Sequence, residues 1–414
     1  MTRSTLPVKR DSLSIVLSVF VFITMVALLP GRASAQSTCF STWTATAIYT
    51  GGQTASLNGE NYTANWWTQG NSPATNSGGS GSGQPWTADG SCTTTAPTPP
   101  SNPTPPSNPT PPNTSVTHLF APYVDMSITT DENLVSIQQQ AGFTTVTLAF
   151  LDATNGCSVG WGGLGGTLPT DTLANGTSIL SVVQSLQGAG VQVILSFGGA
   201  NGTEPALNCT SASQLQALYQ SVINRYHVTM LDFDIEGGAT SNQTSITLRD
   251  QALIGLREAN PSLVISYTLP VLPTGLINTG VNILISAKAD GFDPDVINVM
   301  AMDYGSSSDN GGAMGTDATS AASATEAQIE AAGLSSTVGI TPMIGVNDTN
   351  TEIFTLADAQ TVLSFASTNS YVSRIAMWSL ARDNGSCAGE DFASPSCSGL
   401  TQSNYQFSEA FKTY

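Results

Sequence analysis

The sequence predicts an α/β protein, a (β/α)8 TIM barrel preceded by a small all-β module, and three observations carry that expectation. Short, apolar, β-branched runs alternate with helically spaced segments through residues 118–414, which is the pattern of a parallel sheet rather than of hairpins. A proline-rich tract over residues 93–117 interrupts the chain. Ahead of it lies a short segment, 36–92, rich in aromatic, Gly, Ser, Thr and Asn residues and bounded by Cys39 and Cys92.

The chain opens with Arg3, Lys9 and Arg10, an uncharged stretch from Leu13 to Leu29, then Pro30 and Ala33-Ser34-Ala35. A basic start, an apolar centre and a small-residue site are the parts of a signal peptide, expected here over residues 1–35. Its removal predicts a secreted, extracellular protein with no membrane segment, in a compartment where Cys39, Cys92, Cys157, Cys209, Cys387 and Cys397 can pair. Proximity along the chain favours Cys39 with Cys92, Cys157 with Cys209 and Cys387 with Cys397; other pairings stay open at this stage. The full chain carries 11 Lys+Arg against 29 Asp+Glu, and the leader holds four of those bases and one acid. So acidic a protein repels phosphate backbones, which excludes nucleic acid as a partner. Two histidines, no H-E-x-x-H and no Cys/His cluster leave no case for a metal or a cofactor. A monomer is expected.

The small module, 36–92, is below the size at which a core alone usually suffices, so a disulfide joining its ends makes physical sense. Four of the six tryptophans lie in it: Trp43, Trp66, Trp67 and Trp86. Some must be core. Exposed rings among polar neighbours would stack on the apolar faces of sugars while the neighbours bond the hydroxyls. In the spacer, 93–117, nine prolines fix φ and remove donors, so polyproline II is expected.

Eight strands are expected in the large module, 118–414: near Leu119 to Val124, Thr145 to Phe150, Gln192 to Phe197, Met230 to Ile235, Val264 to Leu269, Val296 to Met302, Val338 to Ile344 and Ile375 to Leu380. Ser178 to Gln187, Ser213 to Asn224 and Thr244 to Asn260 are spaced as helices. The size suits a barrel with insertions, whose chemistry sits at the C-terminal ends of the strands.

Strand four reads Met230-Leu231-Asp232-Phe233-Asp234-Ile235-Glu236. A period of two puts Asp232, Asp234 and Glu236 on one face and Leu231, Phe233 and Ile235 on the other. The apolar face must pack on the helices, which turns the acids inward. Crowded carboxyls in low dielectric raise one another's pKa values, and no base lies within this strand to neutralise them, so a carboxyl protonated near neutral pH is expected in the row. Asp234 and Glu236 stand on the same side of any bound sugar. Ordinary retaining glycosidases place their second carboxylate on the opposite face, so another group must act as nucleophile.

These residues resemble known families. Leu195-Ser196-Phe197-Gly198-Gly199 is similar to the S-x-G-G signature, and Leu231 to Glu236 to most of the D-x-x-D-x-D-x-E signature, of glycoside hydrolase family 18 chitinases. The resemblance spans essentially residues 118–414. In the small module, Ile48-Tyr49-Thr50-Gly51-Gly52, Tyr62-Thr63-Ala64-Asn65-Trp66-Trp67-Thr68 and Trp86 resemble the family 5/12 chitin-binding modules. The latter resemblance implies that Trp66 and Trp67, with Trp43, form a chitin-binding face.

The former implies a chitinase that cleaves β-1,4-N-acetylglucosamine linkages with retention, the substrate's own acetamido oxygen attacking to give an oxazolinium ion. Glu236 would be the general acid and base. Asp234 would orient the acetamido group, and Asp232 would share a proton with Asp234. Thr229 stands where the first signature Asp falls. In Met300-Ala301-Met302-Asp303-Tyr304, Met302 replaces the family's usual Tyr, so the missing hydroxyl is expected from Tyr304. Met300, Met302 and Asp303 would border the substrate. Trp378 would be a floor beneath the sugar, or else barrel packing. Tyr123 either lines the same pocket or is core. Chitin and N-acetylglucosamine oligomers are thus the expected partners. The alternatives are an endo-β-N-acetylglucosaminidase, against which the chitin-type module argues; a non-catalytic chitin lectin, against which Glu236 argues; and a cellulase, whose substrate has no acetamido group.

Overall fold

The computed structural model describes residues 37–45, 47–50, 52–66, 68–78, 83–93, 118–128, 133–162, 164, 167–173, 175–349 and 351–414. The expected leader, most of the spacer and Trp67 lie outside them. Two units form, one on each side of the spacer.

In the small unit, Ser37–Thr38, Trp86–Thr93, Glu60–Ala64 and Thr54–Leu57 make a four-stranded sheet in that order. Asn58 and Gly59, both at positive φ (57° and 80°), turn the last two strands into a hairpin, the conformation that an Asn-Gly pair favours. Trp86 is fully buried, donates its indole N–H to the Asn71 carbonyl at 2.8 Å and meets Tyr49 edge-on. Ala55, Tyr62 and Ala64 complete this small core. A Cys39–Cys92 disulfide joins its ends, as the size of the module leads one to expect.

The large unit has eight parallel strands, each followed by a helix. The strands are β1 in two pieces (Leu119–Phe120 and Tyr123–Asp125), β2 (Thr145–Ala153), β3 (Gln192–Gly198), β4 (Met230–Asp234), β5 (Val264–Leu272), β6 (Val296–Ala301), β7 (Thr337–Pro342) and β8 (Val372–Ile375). The helices are α1 (Leu134–Ala141), α2 (Ile179–Gly188), α3 (Ala212–Tyr226), α4 (Gln243–Ala259), α5 (Asn278–Asp290), α6 (Met314–Ala332), α7 (Leu356–Thr368) and α8 (Gln406–Phe411). Pro122, which lacks an N–H, interrupts β1. The first piece pairs with β8 and the second with β2, so the broken strand closes the barrel.

Local chemistry supports several of these boundaries. Ser211 and Asn242 cap α3 and α4 by accepting backbone N–H groups with their side chains, and Thr355 with Asp358 forms a capping box on α7. His227 is the left-handed residue that ends α3, and His118 stacks on Tyr414. Cys157–Cys209 and Cys387–Cys397 are also paired. Among the described residues no helix is long and apolar enough to cross a membrane.

Strand eight starts earlier than the sequence suggests. Ser373 and Arg374 lie ahead of the expected start at Ile375, yet they belong to the strand, and Arg374 is only 2% exposed and points into the barrel. Strand seven likewise ends at Pro342 rather than Ile344, leaving Trp378 and Asp348 on loops beyond the strand ends.

Candidate active site

The alternation expected for β4 is present. Leu231, Phe233 and Ile235 are fully buried in the core between barrel and helices, with Phe233 stacked on Phe197 at 5.1 Å. Asp232 and Asp234 face inward. Glu236 follows the strand in an extended conformation and starts the turn Gly237–Thr240, so the two-residue alternation carries it to the mouth of the barrel.

A cleft of about 550 Å³ opens there. Asp234, Glu236, Met300, Met302, Asp303, Trp378 and Tyr123 border it. Another cavity, of about 460 Å³, is lined by His227, Val228 and Thr229 before β4 and holds no carboxylate.

Asp232 lies beneath the cleft and is fully buried. One of its oxygens accepts the hydroxyls of Tyr123 (2.9 Å) and Ser196 (2.7 Å), the other those of Ser266 (2.5 Å) and Thr268 (2.8 Å). Asn298 extends this floor by donating to Thr268 and Tyr123, and Thr341 donates to Asn298. The Arg374 guanidinium is 3.9 Å from Asp232 Oδ1.

Asp234 sits differently. It is 5% exposed, and its Oδ1 has no hydrogen-bond partner among the described residues. Burial, then the charges of Glu236 and Asp232, hold its carboxyl well above the usual range. Burial also raises Glu236; the bond from Asp234 works against that rise and the Asp303 charge adds to it. Hydroxyl donors occupy both oxygens of Asp232, and the carboxyl interacting most strongly with Asp234 is Glu236 rather than Asp232.

Gly198 and Gly199 are needed here as glycines. Their φ angles are 96° and 86°. A Cβ on Gly198 would fall 2.3 Å from the Asp234 carbonyl, and one on Gly199 2.7 Å from the Phe150 ring.

The aromatic wall is a cluster of Tyr123, Phe150 and Trp378, the last two stacked at 5.6 Å. Tyr123 thus both lines the cleft and packs, its hydroxyl belonging to the floor. Asp303, at φ 51°, accepts the Thr349 N–H at 2.7 Å. Tyr304 does not join the site. Its ring is buried in the main core, and the charges nearest its hydroxyl are Asp317 and Glu352, so the hydroxyl expected from it is not supplied to the cleft. The strand ends at Ala301, and the left-handed turn at Asp303 directs Tyr304 into the core. In the small unit, Trp66 is 47% exposed, while Trp43 is half-buried and packs against the core.

Four participants escape the sequence reading. Asp152, near the end of β2, borders the cleft, and burial pushes its carboxyl up to about 7. Gly162 and Gly202 make room for it, since a Cβ on either would fall within 2.2 Å of a carboxylate oxygen. Ser266 and Thr268 alternate with Ile265 and Tyr267 in β5, a polar period that could have revealed the floor. Arg374 gave a signal too, as a lone base in an apolar segment.

Residues 119–372, more than half of the chain, match the family described as Glycosyl hydrolases family 18, and residues 42–87 match Carbohydrate-binding module family 5/12. The chain is 34% identical over 320 residues to a probable bifunctional chitinase/lysozyme of Escherichia coli (strain K12), covering 72% of this chain and 34% of that protein. It is 33% identical over 286 residues to endochitinase 11 of Metarhizium anisopliae, covering 64% of this chain and 52% of that one. The chain thus spans between a third and about half of the length of these curated relatives. Among solved structures, the catalytic domain of a hyperthermophilic chitinase from Pyrococcus furiosus superposes with a TM-score of 0.62 at 30% identity, covering 72% of this chain and 94% of that one. With its barrel, its carboxylate row and this match over most of the large unit, the chain belongs to the glycosyl hydrolases family 18.

Proposed function

We propose that the chain is a secreted chitinase, cleaving β-1,4-N-acetylglucosamine linkages with retention through an oxazolinium ion. The observation that carries this reading is the Asp234–Glu236 pair, with Asp234 buried beside Glu236 at the cleft mouth and both carboxyls held above their ordinary range. Glu236 protonates the glycosidic oxygen. The acetamido oxygen of the sugar attacks its own anomeric carbon, the bond to the leaving sugar breaks, and Asp234 orients the acetamido N–H. Water, deprotonated by Glu236, then opens the ring ion from the same face. No carboxylate on the opposite face is needed. Because burial raises Glu236, the acid form persists above the ordinary glutamate range, and activity should fall only as the pH rises through that elevated value.

Residues 36–92 hold the enzyme on solid chitin through Trp66, Trp67 and Trp43. The spacer 93–117 raises the local concentration of the catalytic domain 118–414 without adding contacts at the cleft. Removal of the leader 1–35 delivers a monomer to the outside, where the three disulfides persist.

The test is to incubate wild type and Glu236→Gln with colloidal chitin, carboxymethylcellulose and a high-mannose glycopeptide and to resolve the products. Cleavage of chitin alone, lost in the variant, is expected. Release of glycans instead would replace the substrate, and equal chitin cleavage by both proteins would remove the acid. Deleting residues 36–92 should weaken adsorption to solid chitin while soluble-oligomer turnover stays nearly constant; undiminished adsorption would overturn the aromatic-face assignment.

A further inference from the structure

A neutral sugar polymer gives a cleft little reason to be uniformly acidic, yet this one is. Besides Asp234 and Glu236, the carboxyls of Asp125, Asp152, Asp303 and Asp348 border it, and among the described residues that line it none is Lys, Arg or His. Asp303 accepts the Thr349 N–H, and Asp125 accepts the N–H and hydroxyl of Ser127. Asp152 is the one outside the Asp234–Glu236 pair with an enclosed oxygen, Oδ1, that has no hydrogen-bond partner, and no ion pair reaches it among the described residues. Burial pushes its carboxyl up to about 7, and the Thr203 backbone N–H opposes the rise. Gly162 and Gly202, which also border the cleft, bring their backbones so close that a side chain on either would displace the carboxyl. The fold thus makes room for an acid and leaves it without a counter-charge.

Asp152 stands two residues beyond Phe150 on β2, about 6.6 Å along the strand, and Phe150 stacks on Trp378 in the aromatic wall. A polymer with its reacting sugar over that wall presents a neighbouring sugar to Asp152. We propose that Asp152 is a specificity-determining residue that binds the ammonium of a glucosamine unit next to the reacting sugar, so that the cleft prefers a partly deacetylated chain to a fully acetylated one at that position. This rests on the chitinase reading and deepens it by naming a feature of the substrate. The reacting sugar must keep its acetamido group, which is the nucleophile, so a free amine belongs on a neighbour. There the ammonium supplies the charge that a half-buried carboxylate lacks. The hydroxyls of a fully acetylated chain donate hydrogen bonds but bring no charge.

The experiment compares kcat/KM near pH 7 for wild type, Asp152→Asn and Asp152→Ser on a fully acetylated chito-oligosaccharide and on the same oligomer carrying one glucosamine at each position in turn. Wild type should prefer the oligomer with glucosamine at one fixed position beside the cleaved sugar. Both variants should lose about fivefold or more of that preference, the effect of one partly screened ion pair. In wild type the preference should also weaken as the pH falls well below 7, where Asp152 holds its proton. No preference in wild type, or an equal fall on both kinds of oligomer in the variants, would overturn the proposal. Should Asp152→Asn fail to fold, Asp152→Ser decides; should both fail, the wild-type preference and its pH dependence decide. A wild type that cleaves no oligomer would instead sink the chitinase reading. Binding to Glu236→Gln, read by calorimetry, then tests the proposal without catalysis. Tighter binding of the glucosamine-bearing oligomer, lost when Asp152→Asn is added, supports it, and equal affinities refute it.

Discussion

Asp232 and Asp234 are two residues apart on one strand, point to the same side and are both buried, yet their surroundings are opposite. Asp232 receives four hydroxyl hydrogen bonds and faces a guanidinium. Asp234 keeps an oxygen without a partner and leans on another acid. Buried polar groups are ordinarily satisfied. The lower carboxylate obeys that rule; the upper one departs from it, as perturbed groups in clefts that carry chemistry commonly do.

The comparison can be broken or sharpened by substitution. Glu236→Gln should lower kcat on chito-oligosaccharides by roughly 10²–10⁴-fold, the range for a general acid, with an unchanged circular dichroism spectrum; a smaller loss would place the acid elsewhere. Asp232→Ala, which strands Arg374 as an unpaired buried charge, should destabilise by about 3–5 kcal/mol in urea unfolding. Asp234→Asn should do the reverse, losing roughly 10²–10³-fold in kcat, as when one oriented charge-stabilising group is removed, with stability equal to or above wild type. Equal destabilisation by these two variants would erase the distinction between the carboxyls. The smallest effect is expected at Asp152. Its proton stays on below about pH 7 and leaves above it, so Asp152→Asn, which resembles the neutral form, should match the wild-type KM in acid. Above pH 7 the variant should keep that value, whereas the wild-type KM changes. Parallel KM profiles would show that Asp152 does not meet the substrate.

The barrel was legible because each strand is a short apolar run bounded by helical spacing, and β4 was legible in detail because strict alternation sorts its acids from Leu231, Phe233 and Ile235. Arg374 fell just outside the expected strand eight, and its partners, a carboxylate and a serine, come from strands more than a hundred positions away in the sequence. Tyr304 failed for a different reason. Its neighbour Asp303 borders the cleft, but the chain has left β6 at Ala301 and turns through a left-handed Asp303, which sends the next ring into the core. Asp152 gave no local signal, since its cradle is built from Gly162 and Gly202 on different loops.

The interruption of β1 at Pro122 has a consequence for how the molecule loses function. The seam between β8 and β2 is zipped by two short pieces rather than one continuous strand, and Tyr123 leads the second piece with its hydroxyl on Asp232. Parting of that seam would withdraw the phenol from beneath the carboxylates while the outer ring of helices stayed wound. In a denaturant titration, turnover should therefore vanish before the far-ultraviolet helix signal declines.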